Sequence, residues 1–197
     1  TWSGAADAYS GVDQYYIYWG TDPGGQTTVV STNPSYNPAA APNSTWYLRV
    51  STQDVVGNRS EDVTLFTFKH DGEPPENPTT FSDVSGGSEN GVWQNSSSSP
   101  EFQWSAGSDA LSGVEQYSVY WGPDSLGTSA ETAGGEYYTP AAADTGISYF
   151  RISSMDSAGN VAEWRTGYIF KYDDVPPMAV AVSPDTSTGT SFSVHWD

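Results

Sequence analysis

Trp104-Ser-Ala-Gly-Ser-Asp109-Ala-Leu-Ser-Gly113-Val114-Glu-Gln-Tyr117-Ser-Val119-Tyr120-Trp121-Gly122 repeats, with few changes, a stretch near the start of the chain. That first copy is Trp2-Ser-Gly-Ala-Ala-Asp7-Ala-Tyr-Ser-Gly11-Val12-Asp-Gln-Tyr15-Tyr-Ile17-Tyr18-Trp19-Gly20. Equivalent positions differ by 102 residues, and the correspondence runs without a gap to Pro74-Pro75, which maps onto Pro176-Pro177. A third copy begins there and reaches Trp196, the counterpart of Trp2 and Trp104. A period of this size marks a tandem array of domain-sized units rather than a solenoid of short repeats.

Within each copy the apolar residues alternate. Tyr15, Ile17 and Trp19 point one way and Tyr16 and Tyr18 the other; Tyr117, Val119 and Trp121 repeat this. Alternation of this kind is a strand with one face in a core. Gly20-Thr-Asp22-Pro-Gly-Gly25 and Gly122-Pro-Asp124-Ser-Leu-Gly127 follow as turns. Further strands are expected at 27–31 and 129–133, at 46–52 and 148–154, and at 64–69 and 166–171. Asp54-Val-Val-Gly57-Asn58 and Asp156-Ser-Ala-Gly159-Asn160 read as turns before the last strand, and the Pro-Pro pairs as stiff linkers. The segment 78–103 carries two strands around a polar insert, 85–100, which reads as a long loop.

This order of motifs resembles the fibronectin type III and bacterial immunoglobulin-like repeats of extracellular surface and stalk proteins. The features that carry it are Trp ending a second strand, Tyr-x-Val-Tyr-Trp on a third, Tyr-x-Arg-Ile on a sixth, then Asp-x-Ala-Gly-Asn and a final strand. The resemblance covers the whole chain and implies an all-β fold of tandem immunoglobulin-like, fibronectin-III-like β-sandwiches. It implies three units: 1–73, a first module without its first two strands; 74–175, a complete module; and 176–197, the first two strands of a third. Those last two strands either begin another covalent repeat or, as Met178–Trp196, complete the first module of a neighbouring chain by strand donation.

Composition narrows the function. The chain has 197 residues, 24 Asp plus Glu against 6 Lys plus Arg, and a net charge of −18, which repels nucleic acid and anionic membranes and attracts cations. It has no cysteine, so disulfides, thiolate metal sites and a cysteine nucleophile are excluded. No run approaches the roughly 18 apolar residues of a membrane helix. The chain opens on Thr and is expected to be a processed product or a piece of something longer. Asn43, Asn58 and Asn95 sit in N-glycosylation acceptor patterns.

Under the family topology, the loops bearing Asp109 and Asp156 share one pole of the second module, where the linker delivers Asp71 and Glu73. Asp71, Glu73, Asp109 and Asp156 are therefore expected to converge and to hold calcium, because crowded carboxylates repel unless a hard cation sits among them. Asp173 and Asp174 would act likewise toward the third module. The alternative is turn chemistry: Asp109 folding onto Ser112 or Gly113, and Asp156 onto Gly159-Asn160.

Trp19, Trp121, Trp93 and Trp164 are candidates for sugar stacking. Trp19 and Trp121 recur at the repeat period, which assigns them to packing, so Trp93 and Trp164 are the better surface candidates. Catalysis is not expected. His70 maps onto Tyr172 and His195 onto Gln103, and no nucleophile elbow, zinc motif or phosphate loop occurs. An isopeptide bond at Lys69 or Lys171 would need an inward lysine, and both are out of phase with Phe66/Phe68 and Tyr168/Phe170. The expected role is a rigid spacer in an extracellular filament, stalk or surface layer, assembling end to end with copies of itself. The alternative is an adhesin or a carbohydrate-binding module of a larger secreted protein.

Overall fold

The computed structural model describes residues 1–178; the two strands expected in 179–197, and His195, lie outside the described residues. The described part is built of strands, turns and loops, with no helix. Four strands come first: β1 (Val12–Gly20), β2 (Val29–Ser31), β3 (Ser44–Asp54) and β4 (Val63–His70). They form one antiparallel sheet in the order β2-β1-β3-β4.

The eight strands after the linker are β5 (Phe81–Asp83), β6 (Trp93–Gln94), β7 (Phe102–Trp104), β8 (Val114–Gly122), β9 (Thr132–Ala133), β10 (Tyr137–Tyr138), β11 (Gly146–Asp156) and β12 (Arg165–Tyr172). They make two sheets, β6-β12-β11-β8-β9 and β10-β7-β5. Three short strands opposite a sheet centred on β8, β11 and β12 give the layout of a fibronectin type III or immunoglobulin-like sandwich. The insert 85–100 is not wholly a loop. Trp93 and Gln94 form β6, which pairs in parallel with Lys171 and Tyr172 and extends the larger sheet.

Alternation decides what is inside. Tyr117 and Val119 of β8, Phe150 and Ile152 of β11, and Tyr168 and Phe170 of β12 turn inward and meet Phe102 and Trp104 of β7. Phe150 is the hub, in ring contact with Phe81, Phe102, Trp104 and Tyr138, and Phe102 lies beside it with ring centroids 4.7 Å from Phe150, 5.1 Å from Tyr168 and 5.3 Å from Trp121. Such ring contacts stabilise beyond the area they bury. The first module keeps a smaller buried cluster of Tyr15, Ile17 and Val50.

The opposite face of each large sheet is latched by the repeated arginine. Arg151 donates to the carbonyls of Gly127 (2.7 Å) and Trp164 (3.2 Å); Arg49 donates to those of Gly25 (2.6 Å) and Asp62 (3.1 Å). The turn it grips is also fixed by Tyr120, whose hydroxyl accepts the Asp124 amide, as Tyr18 accepts that of Asp22. Glycine recurs at 25 and 127 because a Cβ there would lie 2.1 Å from the tyrosine ring.

Candidate functional site

Three aspartates meet where the first module hands over to the second. Asp109 lies in the loop between β7 and β8. Its Oδ1 accepts the amides of Leu111 (2.9 Å), Ser112 (2.7 Å) and Gly113 (2.8 Å), and Gly113 closes that loop at φ 76°, which favours glycine. Asp156 ends β11. Its Oδ1 accepts the amides of Ala158 (2.9 Å) and Asn160 (2.8 Å), and its Oδ2 accepts Nδ2 of Asn160 (2.8 Å). Both therefore adopt the turn geometry that was the alternative to metal binding. The two roles are compatible, because Oδ2 of Asp109 accepts no hydrogen bond within these turns.

Asp71 arrives from β4. Its Oδ1 accepts the amide of Glu73 (3.2 Å), its Oδ2 accepts that of Ser112 (3.1 Å), and its carbonyl accepts Nδ2 of Asn160 (3.2 Å). The last two bonds cross the joint. One carboxylate oxygen from each of Asp71, Asp109 and Asp156 lies within 4.8 Å of the others. Glu73 does not join them. It is exposed, and its contribution is the backbone amide that caps Asp71. That turn sends the Glu73 side chain into solvent.

The electrostatics of the cluster are one-sided. Amides of Gly113, Leu111 and Ser112 hold the Asp109 carboxyl below its ordinary pKa. For Asp156, burial works against ionisation, but the Asn160 side chain and the amides of Asn160, Ala158 and Gly159 outweigh it, so this carboxyl too is lowered. Among the described residues the only ion pair within 4 Å is Arg59–Asp62, at the other end of β4 from Asp71. Lys69 and His70 line the same cleft of about 400 Å³ without pairing with it. The buried Ser112 hydroxyl, also at this joint, has no hydrogen-bond partner. The arrangement is suited to an oxygen-seeking cation.

The second module also grips the linker, through residues that the repeat pattern does not single out. Glu76 and Ser108 exchange backbone bonds (2.8 and 3.2 Å). Oδ1 of Asn77 accepts the amide and hydroxyl of Ser154 (2.8 and 2.9 Å), while Nδ2 reaches the Glu163 carbonyl (2.6 Å). Asn77 maps onto Ala179, so no periodic signal marks it. Asn160 and Ser112 recur as Asn58 and Ser10, and that recurrence was the available signal.

The remaining candidates are dispersed. Oδ1 of Asn43 accepts the Gly72 amide (3.0 Å), and Nδ2 of Asn58 donates to Asp54 (2.7 Å), so both side chains serve the fold; Asn95 is exposed. Trp121 packs on Phe102 and Phe170, and Trp19 stacks on Trp46. Trp93 is half exposed beside Lys171, whose ammonium lies 5.9 Å from its ring centroid, and Trp164 lies 5.9 Å from the Arg151 guanidinium. Lys69 is exposed, and His70 stacks on Phe68. Asp173 accepts the Val175 amide at 2.9 Å, the same turn as Asp71, while Asp174 is taken up by the Thr145 hydroxyl at 2.5 Å.

No family model matches this sequence, and no curated protein does. Among solved structures, the fibronectin(III)-like modules of Clostridium thermocellum CbhA are similar over 90% of this chain and 87% of that one, at 12% identity and a TM-score of 0.36. The fold assignment itself rests on the strand order and packing described above.

Proposed function

We propose that this chain is a spacer repeat of an extracellular stalk, filament or surface layer, and that calcium locks the joint between successive modules. The observation that carries this reading is the joint itself. Asp71 from one module and Asp109 and Asp156 from the next crowd together with no basic side chain within 4 Å of their carboxylates. A hard cation with oxygen ligands relieves that repulsion, and it does so only while the two modules keep their relative orientation. Water would fill the coordination positions that three carboxylates leave. The Pro-Pro linker and the Asn77 and Glu76 contacts support the same mechanical role, since they remove freedom from the joint before any ion binds.

Calcium calorimetry on the chain, paired with small-angle scattering, tests both halves. The expected result is binding in the range of extracellular modules, about 0.1–1 mM, lost in Asp109→Asn. A narrower spread of inter-module distances should accompany binding. No heat and no change in melting temperature would remove the cation. A broad spread of module orientations with calcium present would remove the spacer role.

A further inference from the structure

The repeat breaks just before the last strand of each module. Arg59, Asp62 and Val63 of the first module are Val161, Trp164 and Arg165 in the second, while Glu61 and Glu163 agree. In the first module these groups satisfy one another. Asp62 pairs with Arg59 (3.2 Å) and accepts the Thr27 amide (3.2 Å), and Arg59 lies over the Tyr16 ring and donates to Ser51. The second module has no such pairing at these positions. Among the described residues neither Glu163 nor Arg165 has an ion-pair partner within 4 Å.

In its place lies a groove of about 840 Å³ between the linker and the start of β12, inside the roughly 300–1,000 Å³ of small-ligand sites. Every lining group belongs to the linker or to the second module. Trp164, Pro75 and Val161 supply apolar surface, the Glu76 and Glu163 carboxylates negative charge, and the Arg165 guanidinium positive charge. The walls are fixed before anything binds. Glu76 and Ser108 exchange backbone bonds, and Asn77 is tied to Ser154 and to the Glu163 carbonyl. Arg165 donates to the Pro78 carbonyl at 3.0 Å, with its guanidinium 5.8 Å from the Phe81 ring centroid.

The lining selects the chemistry of its ligand. An anion would meet two carboxylates on a chain of net charge −18. A cation would meet Arg165, and the Trp164 ring that might hold it already has the Arg151 guanidinium 5.9 Å away. A neutral ring with an apolar face and a rim of hydroxyls suits all of these groups at once. Its slightly positive C–H groups match the electron-rich face of an indole, and its hydroxyls both donate to carboxylates and accept from a guanidinium.

We propose that this groove binds neutral carbohydrate, with one sugar ring stacked on Trp164 and its hydroxyls held by Glu76, Glu163 and Arg165. The site adds an anchoring role to the spacer, because the second module would then hold the stalk to surrounding glycan. It requires the linker to be seated, but not the cation, since none of Asp71, Asp109 and Asp156 lines the groove.

Affinity electrophoresis of the whole chain tests this, in gels containing hydroxyethylcellulose, arabinoxylan or galactomannan, with polygalacturonate as the charged control. The expected result is retardation by at least one neutral polysaccharide and none by polygalacturonate. Trp164→Ala should weaken binding about tenfold, as the loss of one stacked ring requires. Glu163→Ala should weaken it severalfold; this side chain is exposed, so the variant keeps the test readable if Trp164→Ala fails to fold by circular dichroism. Trp93→Ala, an exposed tryptophan outside the groove, should leave binding unchanged. Passage unretarded by all three neutral polysaccharides, or retardation by polygalacturonate alone, would overturn the proposal. So would binding that survives both groove substitutions or that is lost in Trp93→Ala. Retardation should persist in chelator; its loss there would place the sugar on the cation and overturn the groove assignment. Each of these failures leaves the spacer reading to calorimetry and scattering, which read the joint and not the groove.

Discussion

The two modules share a sheet and differ in what faces it. β1, β3 and β4 pair as β8, β11 and β12 do, down to the register shifts at Leu48/Arg49 and Phe150/Arg151. The arginine latch, the tyrosine-supported turn and the aspartate turns recur bond for bond on the outer face and at the pole. On the inner face the likeness ends. Phe170 is buried by β7 and Phe68 is not. Strand pairing and turn chemistry are local and travel with the repeat. Burial of a sheet face belongs to whichever second sheet lies against it.

The largest expected effect tests that difference directly. Phe170→Ala removes a ring from a closed core and should cost about 3–5 kcal/mol, whereas Phe68→Ala should cost under about 1 kcal/mol. Denaturant unfolding of each variant measures both. Equal costs would mean that the first module's face is covered after all. The arginine latch should behave in the opposite way. Arg151→Ala and Arg49→Ala each free two carbonyls and should cost a similar amount, about 2–3 kcal/mol. A much smaller penalty at Arg49 would show that the open inner face loosens the outer one too.

Asn77→Ala should destabilise the second module by about 1–3 kcal/mol, because the Ser154 amide and hydroxyl lose their acceptor. Scattering should also report a looser joint. The smallest effect concerns acid. Asp62 is held down to a pKa of about 2, first by the Thr27 hydroxyl and then, against burial, by the Thr27 amide, Ser51 and Arg59. Its folded value is depressed, so its contribution is complete above the ordinary value of 3.8 and is lost as pH falls toward about 2. The equivalent position in the second module is Trp164, which cannot titrate. Acid titration should therefore weaken the first module over this window, and Asp62→Asn should flatten that part of the curve. An unchanged profile in the variant would assign the acid response to other carboxylates.

Much of this was readable in advance, for identifiable reasons. Alternation placed Tyr117, Val119 and Trp121 on one face, and Tyr117 and Val119 are buried there, because a strand side chain has only two directions to take. The resemblance to fibronectin type III and immunoglobulin-like repeats implied that Asp71 would meet Asp109 and Asp156, because in that topology the last strand of one module ends at the pole that carries those loops of the next. Glu73 was misassigned to that group. Its amide caps Asp71, and a turn of that kind, invisible in composition, sends the side chain outward. β6 was hidden inside a polar insert, because two residues show no alternation and their partner, Lys171–Tyr172, is distant in the chain.

Sequence alone determined the repeat, the strand faces, the turn-forming aspartates and the acidic surface, all of which follow from covalent order and local stereochemistry. Only the tertiary structure decided that three carboxylates share one joint with no basic side chain within 4 Å, that Asn77 and Asn160 tie the linker down, and that, among the described residues, one aromatic face is covered by a second sheet and its twin is not. Those outcomes depend on which surfaces meet, and a surface has no partner until the chain has folded.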